Sequence, residues 1–405
     1  MRFPLLIRAL VLCAPLFSQV ALSADDAPSA TAPAAVDDRT SANPSDEKKN
    51  DMAPDVIIFP IPEEVGPVPE PQVVIAPVKP PHLALLLPLK SATFGRAADA
   101  VKEGFLAASQ VPGAEPSLPI EIYDSEEGGK NLLPIYNRIL TDDARIVVGP
   151  MTRSEVTEIA KSGMVTAPTL ALNLPEGANL ALPSLFFSLN LSQEGEARQL
   201  ANIAFARGLR RAATVTSAAA LPKRIQAAFA DEWLKLGATT TLEYVFSTGA
   251  KSLTRFRTAL KAQQVDVVFI ATDATIARKI RPYIRSNLAI YATSQVFRSK
   301  NDAAINVDLK DLNFVDMPWL IKPDHAAVMV YPKPKKSLTA ELQRFYALGI
   351  DAYRIAQQML RSEAPPDEFL DGVSGRITLT AGHWYTRELL QATFDQSGAA
   401  KPLAP

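Results

Sequence analysis

Past residue 80 the chain repeats one pattern, a short continuous apolar run followed by a stretch whose apolar positions recur with helical period. Unbroken apolar runs suit strands buried on both faces, and such strands pair in parallel through helical crossovers. The chain is thus confined to βαβ units around parallel sheets. A first set has predicted strands over 83–87, 120–123, 146–148 and 169–172, and a helix over 94–109 with Ala97, Ala98, Val101 and Phe105 on one face. Between the last two strands, Thr152-Arg153-Ser154-Glu155 is a capping box opening a helix whose apolar face is Val156, Ile159 and Ala160. After Phe186-Phe187-Ser188-Leu189 the pattern restarts. A helix enters at Ser192 with Glu194 and Glu196 in its first turn, where carboxylates suit the positive end of the dipole. Strands over 213–216, 241–246, 265–271 and 289–293 follow, with helices over 222–236, 252–262 and 274–285.

A long amphipathic stripe over 338–361 comes too late to belong to the second set. The chain therefore reads as lobe, lobe, and a return to the first lobe. The first lobe is expected at about 81–190 and 322–365, the second at about 191–321 and 366–396, with a tail over 397–405. A hairpin formed by 375–379 and 387–389 should close the fold. Pro318 in Asn313-Phe314-Val315-Asp316-Met317-Pro318-Trp319-Leu320 would break a central strand, so that segment suits a crossover or an edge. Trp319 is then either a core anchor or a partner contact.

Residues 1–24 read as an export signal, with Arg2 and Arg8 ahead of an apolar run and Ala21-Leu22-Ser23 before the expected cut near Ser23 or Ala24. The single cysteine, Cys13, lies inside it, so the mature chain should have no thiol and no disulfide. Lipidation at Cys13 would want a small residue before it, and Leu12 stands there. Membrane attachment is thus expected only if that cysteine is lipidated. Residues 25–80 hold 11 of the 33 prolines and eleven acidic against four basic residues, the composition of a disordered linker. Its net charge is −7. With two arginines in the signal and −1 overall, the remainder carries +4. That is too little positive charge for a nucleic-acid surface.

In parallel α/β folds ligands sit beyond the carboxyl ends of the strands, where helix-start amides can receive polar groups. Small polar residues recur at those points. Ser91, Thr93, Thr152, Arg153 and Asn173 stand in the first lobe; Thr293 and Ser294 face them across the gap, and Asp273 is the acid placed to meet an ammonium. The same types are ordinary helix caps, and Thr152 is already explained by its capping box. Catalytic markers are missing. His82, His325 and His383 are scattered, Asp142-Asp143 and Glu126-Glu127 fall in loops, and there is no Gly-x-Ser-x-Gly elbow, Walker loop or dinucleotide fingerprint. An enzyme, a cofactor and a metal site are not expected.

Leu83-Ala84-Leu85-Leu86-Leu87-Pro88-Leu89 and Phe94-Gly95-Arg96-Ala97-Ala98-Asp99-Ala100-Val101-Lys102-Glu103-Gly104-Phe105 together resemble the opening of the penicillin-binding-protein activator family, the LpoA or LppC-like lipoproteins. So do Val147-Val148-Gly149-Pro150, Leu170-Ala171-Leu172-Asn173, Glu196-Ala197-Arg198-Gln199, Tyr291-Ala292-Thr293-Ser294, Asp316-Met317-Pro318-Trp319-Leu320 and Tyr346-Ala347-Leu348-Gly349-Ile350-Asp351-Ala352-Tyr353. The order and spacing of these runs carry the resemblance, which covers about 83–394. It implies a two-lobed type I periplasmic-binding fold and a periplasmic regulator, associated with the outer membrane, that binds and stimulates a penicillin-binding protein of the bifunctional synthase kind. The longer family members carry a helical-repeat domain ahead of this fold. The alternative is a periplasmic receptor holding a small ligand such as an amino acid or amide in the interlobe cleft, since one fold serves both.

Overall fold

In the computed structural model, the described residues are 79–403 apart from 113–117, 178–179 and 362–368. The export signal, Cys13 and nearly all of the expected linker lie outside them.

The strands are β1 (His82–Leu87), β2 (Ile120–Asp124), β3 (Ala144–Val148), β4 (Thr169–Ala171), β5 (Phe186–Leu189), β6 (Arg211–Thr216), β7 (Thr239–Val245), β8 (Val267–Ile270), β9 (Ala289–Ala292), β10 (Leu312–Asp316), β11 (Leu370–Gly372), β12 (Gly375–Leu379), β13 (Trp384–Glu388), β14 (Leu390–Phe394) and β15 (Ala400–Pro402). The helices are α1 (Gly95–Ser109), α2 (Leu132–Thr141), α3 (Arg153–Lys161), α4 (Gln193–Ala206), α5 (Ala220–Lys235), α6 (Ala250–Ala262), α7 (Ala274–Ile280), α8 (Ala303–Asn306), α9 (Pro318–Ile321), α10 (Ala326–Met329) and α11 (Ala340–Arg361). Two sheets result, one per lobe. The first runs β11-β12-β13-β5-β4-β3-β1-β2 and the second β15-β14-β10-β9-β8-β6-β7.

Every residue of β1 is buried, and its pleat shows why the run is unbroken. Leu83, Leu85 and Leu87 join Val101, Phe105, Ile146 and Val148 in one core, while Ala84 and Leu86 join Tyr136, Ile139, Val147 and Phe186 in another. Helix α11 returns to the first lobe and lies on α1, as its late position suggested. The two backbones approach closely at Gly104 and Gly349. A Cβ on Gly104 would fall on the carbonyl of Tyr346, and one on Gly349 on the carbonyl of Val101. Phe105 meets Tyr353 edge-on just beyond, with ring centroids 5.2 Å apart. In the second lobe Phe229 stacks on Phe269 at 4.1 Å and on Trp233 at 5.4 Å.

The C-terminal assignment differs from the expectation. Residues 370–388 do not join the second lobe; β12 and β13 form the expected hairpin, but β13 pairs in parallel with β5, Trp384 opposite Ser188. Without it the outer edge of β5 would be an unpaired ladder inside the molecule. Only β14 and β15 enter the second sheet, β14 antiparallel to β10 with Phe314 opposite Ala392, so the expected tail over 397–405 includes a strand. Helix α7 ends at Ile280 and passes into a tight turn, Arg281–Tyr283, at Pro282.

The chain thus crosses between lobes three times, at 189–193, 316–340 and 388–390. The second crossing contains α9, with Pro318 in its first turn and Trp319 buried against Tyr346 at 5.3 Å. The core-anchor reading of Trp319 is the one the packing supports.

Candidate functional site

Four of the five first-lobe candidates make local hydrogen bonds. Ser91 Oγ accepts from the Phe94 amide, and Thr93 is exposed. Thr152 completes its capping box: its Oγ1 accepts from Glu155 N, and its own N–H donates to Glu155 Oε2 at 3.1 Å. Arg153 donates to the carbonyl of Pro175, and Asn173 donates to that of Met151 at 3.0 Å while accepting from Leu174 N. In the second lobe Asp273 caps α7, accepting from the amides of Thr275 and Ile276 at 2.7 and 3.1 Å. Thr293 is fully buried, its Oγ1 without a hydrogen-bond partner. Ser294 is the candidate with the richest surroundings.

Both oxygens of Glu196 receive hydrogen bonds from Ser294, Oε2 from the amide at 2.8 Å and Oε1 from Oγ at 3.0 Å. The carbonyl of Ser294 accepts from Arg344 Nη2 at 2.9 Å, and the carbonyl of Phe297 from the same nitrogen at 3.0 Å. Arg344 closes a fork on Asp316, Nη2 to Oδ2 at 2.6 Å and Nε to Oδ1 at 3.0 Å. Asp316 has no exposed surface, and the Met317 amide also donates to it. Burial, reinforced by the charge of Asp316, pushes the Glu196 carboxyl up to about 7, against the pull of Ser294, Arg344 and Arg387.

The same construction continues along both long helices. Gln199, one turn beyond Glu196 on α4, clamps Leu389 from both sides, donating to its carbonyl at 2.8 Å and accepting from its amide at 3.1 Å. On α11, Asp351 accepts from the amides of Val373 and Ser374 and from Arg354. Arg387 donates to the carbonyls of Asn190 and Ser374. Each crossing is therefore tied: the first at Asn190 by Arg387, the second at Asp316 by Arg344, the third at Leu389 by Gln199.

Beside this network opens a cavity of about 690 Å³ whose wall includes Glu196, Asp273, Ser294, Arg298, Glu341 and Arg344. Of the eight candidates only Asp273 and Ser294 line it. Sequence reasoning missed Glu196, Asp316, Arg344, Asp351 and Arg387 as a group. Glu196 had been explained by the dipole of α4, and the others sit in elements far apart in the chain. Among the described residues no group of three or more His, Cys, Asp or Glu is placed to hold a metal, and no helix is long and apolar enough to cross a membrane.

Two lobes, each a mainly parallel sheet flanked by helices, joined by three crossings, define a periplasmic-binding-protein-like fold. The family described as "LppC putative lipoprotein" matches residues 73–397, and the chain belongs to it. The "Penicillin-binding protein activator LpoA" of Yersinia pseudotuberculosis is 27% identical over 346 residues, covering 74% of this chain and 52% of that protein. The chain spans about half the length of the curated relatives it matches. Among solved structures, the C-domain of LpoA from Haemophilus influenzae, described as a regulator of PBP1A, is 20% identical with a TM-score of 0.66, covering 80% of this chain and 100% of that one. A protein described as a "putative branched-chain amino acid ABC transporter" from Chromobacterium violaceum is 33% identical with a TM-score of 0.67, covering 78% and 100%. Four of the runs that carried the resemblance, those containing Glu196, Ser294, Asp316 and Asp351, converge on the tied crossings.

Proposed function

We propose that this chain is a non-catalytic envelope protein that binds and stimulates a penicillin-binding protein, presenting its two lobes as a stiff docking body. The observation that carries this reading is the hinge. A solute receptor of this fold closes by bending its crossings, and here each crossing is held by charged or amide side chains whose hydrogen bonds are spent inside the protein. Opening such a network would strip Arg344 from Asp316 and leave that buried carboxylate with the Met317 amide alone. The names of the LpoA relatives supply the class of partner. Periplasmic placement rests on the export signal and on the family's description as a lipoprotein, and association with the outer membrane would follow only if Cys13 carried a lipid. Cleavage near Ala24 rather than lipidation at Cys13 is checked by the intact mass of the exported protein.

The solute-receptor reading is kept as the second one, because of the Chromobacterium violaceum relative and because Asp273, Glu341 and Arg298 share one cavity wall. A single pair of measurements separates the two. The purified protein is added to a bifunctional peptidoglycan synthase while glycan polymerisation is followed, and it is titrated calorimetrically with a panel of amino acids and amides. Stimulation is expected, with no amino acid bound more tightly than about 1 mM, roughly −4 kcal/mol. Micromolar binding of a solute together with no effect on the synthase would replace the regulator with the receptor.

A further inference from the structure

Residues 250–285 of the second lobe contain eight Lys or Arg and only two acids, in a chain whose net charge is −1. Both acids are engaged. Asp266 pairs with Arg211 at 2.7 Å, and Asp273 caps α7. On α6, Lys251 and Arg255 form one like-charge pair at i, i+4, and Arg257 and Lys261 form another; all four are exposed, and the helix has no acidic residue. Like charges at that spacing oppose helix formation unless a counter-charge arrives.

The topology gathers these cations on one side. Right-handed crossovers put α5 on one face of the second sheet and α6 and α7 on the other, and Tyr244 of β7 stacks on Phe256 of α6 at 4.5 Å. The one acid of β7, Glu243, alternates to the opposite face. Between α6 and α7 lies an open basin of about 600 Å³. Arg257 borders it from α6, Arg278 and Lys279 from α7, and Phe246 and Tyr283 supply aromatic walls. Arg278 spends one nitrogen on Asn306 Oδ1 at 3.2 Å; no hydrogen bond or ion pair among the described residues engages the side chain of Arg255, Arg257 or Lys279.

We infer that this α6–α7 face is a docking surface for an acidic segment of a protein partner. Guanidinium forks beside aromatic walls in a concave basin match carboxylate side chains on an extended chain. A bilayer surface would call instead for a flat or convex face with apolar residues to insert. The partner's identity as a penicillin-binding protein rests on the functional reading above; its chemistry rests on this face.

The test uses the full chain and the triple variant R255E/R257E/K279E, with R96E/K130E/K161E on the exposed first lobe as a control of equal charge change. Binding is measured to the bifunctional synthase, to a deca-glutamate peptide, and to phosphatidylglycerol vesicles, at low and at high salt. The expected result is about tenfold weaker binding of both synthase and peptide by the α6–α7 variant, no such loss in the control, and a wild-type affinity that falls with salt. Unchanged circular dichroism and melting show that the variant is folded. A variant that binds the synthase as tightly as wild type overturns the inference. So does a loss confined to vesicles. If the wild type does not bind the synthase, the functional reading fails and the peptide decides this one: peptide binding abolished by the variant upholds the face as an acidic-segment dock, and peptide binding retained overturns it.

Discussion

Replacing Arg344 by Leu is the perturbation that most directly probes the tied hinge. It removes the fork on Asp316 and the hydrogen bonds to the carbonyls of Ser294 and Phe297. Asp316 has no exposed surface and would keep the Met317 amide as its one remaining donor, so water cannot take over the lost bonds. Stranding one member of such a buried pair costs about 3–5 kcal/mol, a large part of the roughly 5–15 kcal/mol that holds a native protein. The double variant R344L/D316N should recover at least about 2 kcal/mol of it, since the neutral amide can still accept from Met317 and leaves no buried charge. The assay is urea unfolding followed by fluorescence and circular dichroism together, so that a separate transition of one lobe would be seen. An R344L protein within about 1 kcal/mol of wild type, or one destabilised equally with and without D316N, would refute the account of the hinge.

Glu196→Gln tests the electrostatics beside it. Because the folded-state carboxyl is raised to about 7 by burial from an ordinary value of 4.5, the stability that its protonated form contributes is fully present below pH 4.5 and is lost as pH rises through 7. At pH 8 the loss amounts to at most about 3 kcal/mol. The amide can keep both contacts to Ser294, so the variant should be the more stable protein at pH 8 and should lack this slope between pH 4.5 and 7; an unchanged slope would place the titration elsewhere. Gly104→Ala should destabilise by about 1–3 kcal/mol through overpacking at the α1–α11 crossing, and a melting temperature equal to wild type would mean the helices can part without cost.

What the sequence determined by itself was local or periodic. The unbroken 83–87 run, the restart after Leu189 and the late stripe of α11 sufficed for two α/β lobes with a return, because burial on both faces writes itself into consecutive residues. The Thr152 capping box was legible for the same reason, its partners being three residues apart. Helix α2 escaped, since Pro134 interrupts its first turn, although Leu132, Tyr136 and Ile139 keep the helical period. The placement of 370–388 also needed the tertiary structure, because a hairpin's own pattern does not say which open sheet edge it will cover. The basic composition of α6 and α7 could be counted along the chain, but only the crossover geometry brings Arg257 and Lys279 to one basin. The hinge lies furthest beyond the sequence. Glu196 meets Ser294 across 98 residues and Gln199 meets Leu389 across 190, and no local period records such pairings. They arise because three separate crossings converge where burial withdraws water, and Glu196, Gln199, Asp316 and Arg344 find their partners there within the protein.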